Sequence, residues 1–185
     1  MNTVEPPNVG LDPHLLKSLD PMQVGAAFSK LFAASIGDVV LVFSRSPAHK
    51  HYSLADIEWM VLPPIAAGQF HVVDAMDKRH GFCAPVAVVT WALVSEEVDQ
   101  LLSQQAGRLR RLRPDEWKNG PIGWLIDAAG DVAGVRAALQ WLAAGPFKEK
   151  PLKMTVGGGG GAARVTTLGA LMAEPAEAAS RTERR

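Results

Sequence analysis

The chain has 185 residues, of which 48% are hydrophobic and 21% charged. This is globular composition, and the length suits a domain that buries a core without staples. Nineteen basic residues balance nineteen acidic ones, so no net field draws in a polyanion, which argues against general nucleic-acid binding as the main role. The single cysteine, Cys83, excludes an internal disulfide framework and a thiolate zinc cage, and fits a reducing compartment.

No export pattern opens the chain: the first lysine is Lys17, and no apolar core precedes it. The longest clean apolar run, Pro85 to Val94, has ten residues and is too short to span a bilayer. A cytoplasmic protein without stable membrane insertion is expected. Residues 1–20, with Pro6, Pro7 and Pro13, read as an N-terminal arm. Residues 21–170 read as one domain, and 171–185 as a flexible tail of small and charged residues.

Within the domain, Asp20 and Pro21 supply an N-cap and a first helical residue. Val24, Phe28, Leu31, Phe32, Ile36, Val39, Val42 and Phe43 then recur near the 3.6 period, predicting a long amphipathic helix that ends before Pro47. Ser53 and Asp56 predict a second helix, stopped by Pro63-Pro64. Gln69 to Asp74 and Ala84 to Val94 read as strands, paired antiparallel through the turn residues Asp77 to Gly81. Ser95-Glu96-Glu97 opens a helix to about Gly107. The run Gly120 to Gly130 reads as a buried strand leading into a helix near 131–144. Short strands near 153–156 and 164–167 flank five glycines as a hairpin. The order predicts an α+β fold, a mixed or antiparallel sheet flanked by helices.

Histidines are the first candidates for chemistry. His14 and His80 read as solvated, and His71, in a strand beside Phe70 and Val72, as structural. His49 and His51 lie in a loop between helices, where reactive groups concentrate. An HxH pair can bind metal, but no third ligand stands at motif spacing, so no metal is expected. Asp127 closes the apolar run Ile122 to Ile126. A carboxylate there needs a partner. It reads either as an N-cap or salt-bridge residue, or as the partner that orients a histidine. Cys83 carries no mark of an activated thiol, and the glycine run lacks the Lys-Ser/Thr of a phosphate loop. Arg108, Arg110, Arg111 and Arg113 form a basic cluster, read either as a solvated face or as a dock for an acidic partner.

Several short motifs occur in one order: Ser46-Pro-Ala-His49, Leu62-Pro-Pro-Ile65 with Gln69, Trp91-Ala92, Glu116-Trp117 with Gly120, and Trp124-Leu-Ile-Asp127. Together they resemble the toxin-activating lysine acyltransferases, the haemolysin-activating enzymes of Gram-negative bacteria, over roughly residues 27–142. The resemblance implies a Gcn5-type N-acetyltransferase-like fold. It implies transfer of a fatty acyl group from acyl-acyl carrier protein to internal lysines of an RTX-type protoxin, in the cytoplasm and by a homodimer. The acyl-carrier donor is a substrate, and no cofactor is implied. His49 and Asp127 take the catalytic positions, and Ser46 the motif serine. Lys50 stands where the family carries arginine, keeping charge without the bidentate fork. The family's Ala-Pro-Phe-Gly after the aspartate is replaced by Ala128-Ala-Gly-Asp-Val-Ala-Gly134, a change in a loop expected to shape the donor site. Donor docking is expected on Arg108 to Arg113.

Overall fold

Asp20 caps the first helix, its carboxylate accepting the Met22 N–H at 3.0 Å and its carbonyl the Val24 N–H at 3.0 Å. The computed structural model describes residues 20–76, 81–106, 111–157 and 163–173. Helix α1 covers Pro21–Arg45. Two compact units divide within it, Met1–Ala34 and Ser35–Arg185. In the first, the helix exposes Val24, Phe28 and Leu31, which periodicity assigns to a packed face; in the second it buries Val39, Val42 and Phe43. By length and composition α1 is long and apolar enough to cross a membrane. A search for unbroken apolar runs misses this, because Gly25, Lys30, Gly37 and Asp38 interrupt it.

Helix α2, Leu54–Met60, begins as expected: the Asp56 carboxylate accepts the Ser53 N–H at 2.8 Å and hydroxyl at 2.9 Å. Pro63-Pro64 does not end the helical stretch. Val61 closes α2 and also caps a further helix, α3, Leu62–Ala67. The prolines occupy its first turn, where a missing N–H costs nothing. Gly68, at φ 68°, turns the chain out of α3 in the left-handed region that a side chain disfavours.

Five strands follow in one sheet, ordered along the chain: β1 Phe70–Met76, β2 Cys83–Val94, β3 Ile122–Gly130, β4 Leu152–Val156 and β5 Arg164–Thr167. All neighbours are antiparallel except β3 and β4. That parallel pair needs a crossover, supplied by helix α5, Val132–Ala144. Helix α4, Glu96–Gln104, follows β2, with the Ser95 hydroxyl accepting the Val98 N–H. A 3-10 turn, Pro114–Glu116, precedes β3, and the last helix among the described residues, α6, Leu168–Ala173, runs past 171, where a tail was expected to begin. The β1–β2 turn residues 77–80 lie outside the described residues, as do most of the arm and the tail.

The sheet is apolar on both faces. One face packs Val89, Trp91, Leu152 and Met154 against Ala138 and Leu142 of α5 and Leu168 of α6. The other packs Ala92, Val94 and Trp124 against Val98 of α4, Leu112 and Trp117. This is a mixed five-stranded sheet flanked by helices, an α+β architecture consistent with the Gcn5-type N-acetyltransferase-like fold.

Two features of this frame yield predictions. Gly130 ends β3 at φ 123°, and a Cβ there would collide with the Val86 carbonyl oxygen. Gly130→Ala is expected to lose at least about 1–3 kcal/mol of stability in urea titration, since strain adds to the clash. His71 stacks on Trp141 with centroids 4.0 Å apart and planes at 6°. Burial holds its pKa below the ordinary histidine value, against the opposing pull of Asp74. Its folded pKa is therefore lower than its unfolded one. The stability it contributes is complete above about pH 6.5 and is lost as pH falls through the folded value. Stability measured from pH 7.5 down to 5 should decline less steeply in His71→Phe than in the parent.

Candidate active site

Helix α1 ends at Arg45, and residues 46–51 form a tight turn. The Ser46 carbonyl accepts the N–H groups of His49 and Lys50 at 3.0 and 2.9 Å, and the His49 carbonyl accepts that of Tyr52 at 2.9 Å. This winding turns the His49 ring inward, where it is 8% exposed. Phe43, from the last turns of α1, stacks on one face with centroids 4.5 Å apart and planes at 16°. Tyr52 approaches edge-on at 5.7 Å. The imidazole thus meets two aromatic rings, one stacked and one edge-on, that restrict its plane.

Asp127 reaches this ring from 78 residues further along the chain. Its two oxygens lie 3.0 and 2.9 Å from His49 Nε2, and one also accepts the Ala128 N–H at 2.8 Å. The carboxylate is only 16% exposed. Because an ionised carboxylate accepts and cannot donate, Nε2 carries the proton in the neutral ring, and Nδ1 presents a lone pair. That lone pair faces Ser46 Oγ at 2.7 Å, so the hydroxyl donates to it.

A β-bulge decides that the two groups meet. Thr90 pairs with Asp127 but Trp91 pairs with Leu125, which leaves Ile126 as an extra residue on β3. In a regular strand Leu125 and Asp127 would share a face. Leu125 packs on the cluster around α5, and so does Ala128, while Ile126 packs on the opposite cluster. The extra residue therefore moves Asp127 off the face of Leu125 and onto the side where His49 lies. The strand β3 continues past Asp127 to Gly130, as the run Gly120 to Gly130 predicts, and the N-cap of α5 is Asp131, which accepts the Gly134 N–H.

Beside the ring lies an apolar cavity of about 190 Å³, whose lining includes Val40, Phe43, His49, Leu54, Ile57 and Met60. Lys50 is exposed and also lines it. Tyr52 on its wall keeps its phenol protonated: burial, then the charges of Asp127 and Asp56, raise its pKa above the ordinary value. Asp56, another wall residue, is held ionised by hydrogen bonds from Trp59 Nε1 at 2.9 Å and from Ser53, helped by Arg111. Neither Tyr52 nor the Asp56 group was among the sequence candidates. The aromatic three residues past His49 and the Ser53–Asp56 box were their only local signals.

The predicted arginine cluster is divided. Arg111 lies 3.3 Å from Asp56 and over the Trp59 ring at 4.8 Å. Arg113 pairs with Asp115 and Glu116 at 3.5 and 3.4 Å. Both arginines are more than two-thirds exposed, so these pairs add little stability and their charges stay open to a partner. Arg108 and Arg110 lie outside the described residues, as do His14 and His80. His51 is exposed, and among the described residues no group of three histidines, cysteines or carboxylates could hold a metal ion.

A buried imidazole, oriented by a carboxylate and bordered by an apolar cavity, suits proton transfer beside a greasy substrate. Comparison with known proteins points the same way. The model of the HlyC family, RTX toxin acyltransferases, matches residues 30–168. The chain is 35% identical over 86 residues to the lysine-acyltransferase RtxC of Vibrio cholerae serotype O1, covering 46% of this chain and 50% of that protein. It is 31% identical over 93 residues to the RTX-I toxin-activating lysine-acyltransferase ApxIC of Actinobacillus pleuropneumoniae, covering 50% and 48%. It is 30% identical over 92 residues to the leukotoxin-activating lysine-acyltransferase LtxC of Aggregatibacter actinomycetemcomitans, covering 50% and 49%. The chain spans about half the length of the curated relatives it matches. With the family match running from α1 to the start of α6, and both His49 and Asp127 inside it, this chain belongs to the RTX toxin acyltransferase family.

Proposed function

We propose that the chain is a protein-lysine acyltransferase. It moves a fatty acyl group from acyl-acyl carrier protein to internal lysine ε-amines of an RTX-type protoxin, in the cytoplasm and as a homodimer. The observation that carries this reading is the His49–Asp127 pair, closed at 2.9 Å, on the wall of an apolar cavity.

The chemistry sets the requirements. A free lysine has a pKa of ~10.4, so presenting a neutral amine at pH 7 costs about 4.6 kcal/mol. Histidine titrates near neutrality and can take that proton as the amine attacks the thioester carbonyl. The new C–N bond forms, the C–S bond breaks, and the carrier thiol leaves. Asp127 holds the ring and offsets the charge of the imidazolium. The apolar cavity offers the acyl chain a dry surface. Arg111, joined to Asp56 on the cavity wall, puts one cation of the proposed acidic-partner dock close to the site.

His49→Ala and Asp127→Asn should each lower acyl transfer by about 10²-fold or more, read by intact mass of the acceptor protein, while circular dichroism shows a folded chain. Full activity in either variant would refute the base assignment. Offering acyl-acyl carrier protein and acyl-coenzyme A in parallel tests the donor, and preference for coenzyme A would replace it. For the dock, neutralising Arg110 and Arg111 should raise the carrier-protein KM several-fold with kcat retained. Added salt should do the same to the parent, because exposed charges are screened. An unchanged KM removes the cluster from the donor site.

A further inference from the structure

Both ring nitrogens of His49 already have partners. Nε2 is taken by both oxygens of Asp127. The ring faces Phe43 on one side and the edge of Tyr52. The remaining nitrogen, the basic one, is covered by Ser46 Oγ at 2.7 Å. An amine that touched Nδ1 directly would have to displace that hydroxyl. We propose that the Ser46 hydroxyl is itself the group that meets the substrate amine, accepting its proton while passing its own to Nδ1 of His49. The proposal rests on the acyltransferase reading above and adds a third catalytic residue to it.

Three observations carry it. First, the hydroxyl is not spent on local structure. The turn is closed by main-chain groups: the Ser46 carbonyl takes two N–H groups, and the Ser46 N–H goes to the Phe43 carbonyl at 3.1 Å. A serine at a helix end commonly gives its side chain to such groups; this one gives it to the ring. Second, Ser46 is more open than His49, being half-buried where the ring is buried. Third, the two residues border different spaces. His49 lines the apolar cavity, whereas Ser46 lines a second one of about 300 Å³, together with Arg45, Val86, Gly130 and Asp131. An acyl chain in the first space and an amine arriving through the second would meet at the serine–histidine contact.

The step balances. The amine nitrogen bonds to the thioester carbon and loses one proton to Ser46 Oγ. The serine proton moves to Nδ1, giving an imidazolium opposite the Asp127 carboxylate. After the C–S bond breaks, the same path returns the proton to the leaving thiolate. Ser46 ends unchanged and never carries the acyl group.

The test uses the full chain with palmitoyl-acyl carrier protein and a protoxin acceptor. Initial rates are measured for the parent, Ser46→Ala and Ser46→Thr across mixtures of light and heavy water. Ser46→Ala should lower kcat by about 10²-fold, within the range of a lost proton-transfer group, with the donor KM within about twofold. Ser46→Thr, which keeps the hydroxyl, should recover most of that loss. Two protons move together in the relay, so the parent rate should bow against deuterium fraction, and Ser46→Ala should give a straight line. A serine that only holds the ring in place would leave the curvature unchanged. A Ser46→Ala kcat close to the parent's, an unchanged bowed curve, or an acyl adduct on Ser46 after donor alone would each overturn the relay. If His49→Ala is inactive while Ser46→Ala is not, only the relay falls; a parent that transfers nothing overturns both readings.

Discussion

Asp127 and His49 come from segments that share no local structure, and each is costly to bury without the other. Removing a carboxylate from water costs several kcal/mol unless its lone pairs are met, and breaking such a buried pair typically costs about 3–5 kcal/mol. Both oxygens of Asp127 reach His49 Nε2, and one also takes the Ala128 N–H. The pair therefore ties the C-terminal end of α1 to the third strand of the sheet. The Phe43 and Tyr52 rings cover the imidazole, the turn at 46–51 winds it inward, and the bulge in β3 brings the carboxylate round.

A second carboxylate organises the rim. Asp56 receives hydrogen bonds from Ser53 and Trp59 and an ion pair from Arg111, so it joins the start of α2 to the segment before the 3-10 turn. The residue is at once a helix cap, a cavity wall and a counter-ion. A third carboxylate plays a similar part across the sheet. Asp99 of α4 accepts from Trp124 Nε1 at 2.7 Å and pairs with Lys153 at 2.7 Å, fastening α4 to β3 and β4. These three carboxylates are each used singly, as clasps between elements.

Much of this was readable from the chain before any coordinates. Long-period features announce themselves: the caps at Asp20, Ser53 and Ser95, the β-branched run of β2, and the hairpin of β4 and β5 all follow local rules. His49 and Asp127 stand out from four other histidines and many carboxylates only through the family resemblance of the motifs that hold them. The parts that escaped depend on non-local facts. A double proline reads as a stop until it is known that Val61 both ends one helix and begins another. Exposed Val24, Phe28 and Leu31 look like core because periodicity cannot tell a packed face from an open one. The bulge leaves no trace in composition, since Ile126 is as apolar as its neighbours. The aromatic bracket around His49 needs Phe43 and Tyr52 to be brought together by a turn whose shape the residue types alone do not specify.

The bulge also makes the site a question of odd and even numbers. Deleting Ile126 would give β3 a cleaner, more regular ladder against β2. It would keep Asp127 opposite Thr90 and on the same side of the sheet, because Leu125 and the carboxylate would then be neighbours along the strand. What inverts the centre is the same number of residues drawn into an unbulged ladder, where Asp127 would share the face of Leu125 under α5. The side on which the carboxylate emerges is thus set by where the strand stores its extra residue, and not by how regular the ladder is.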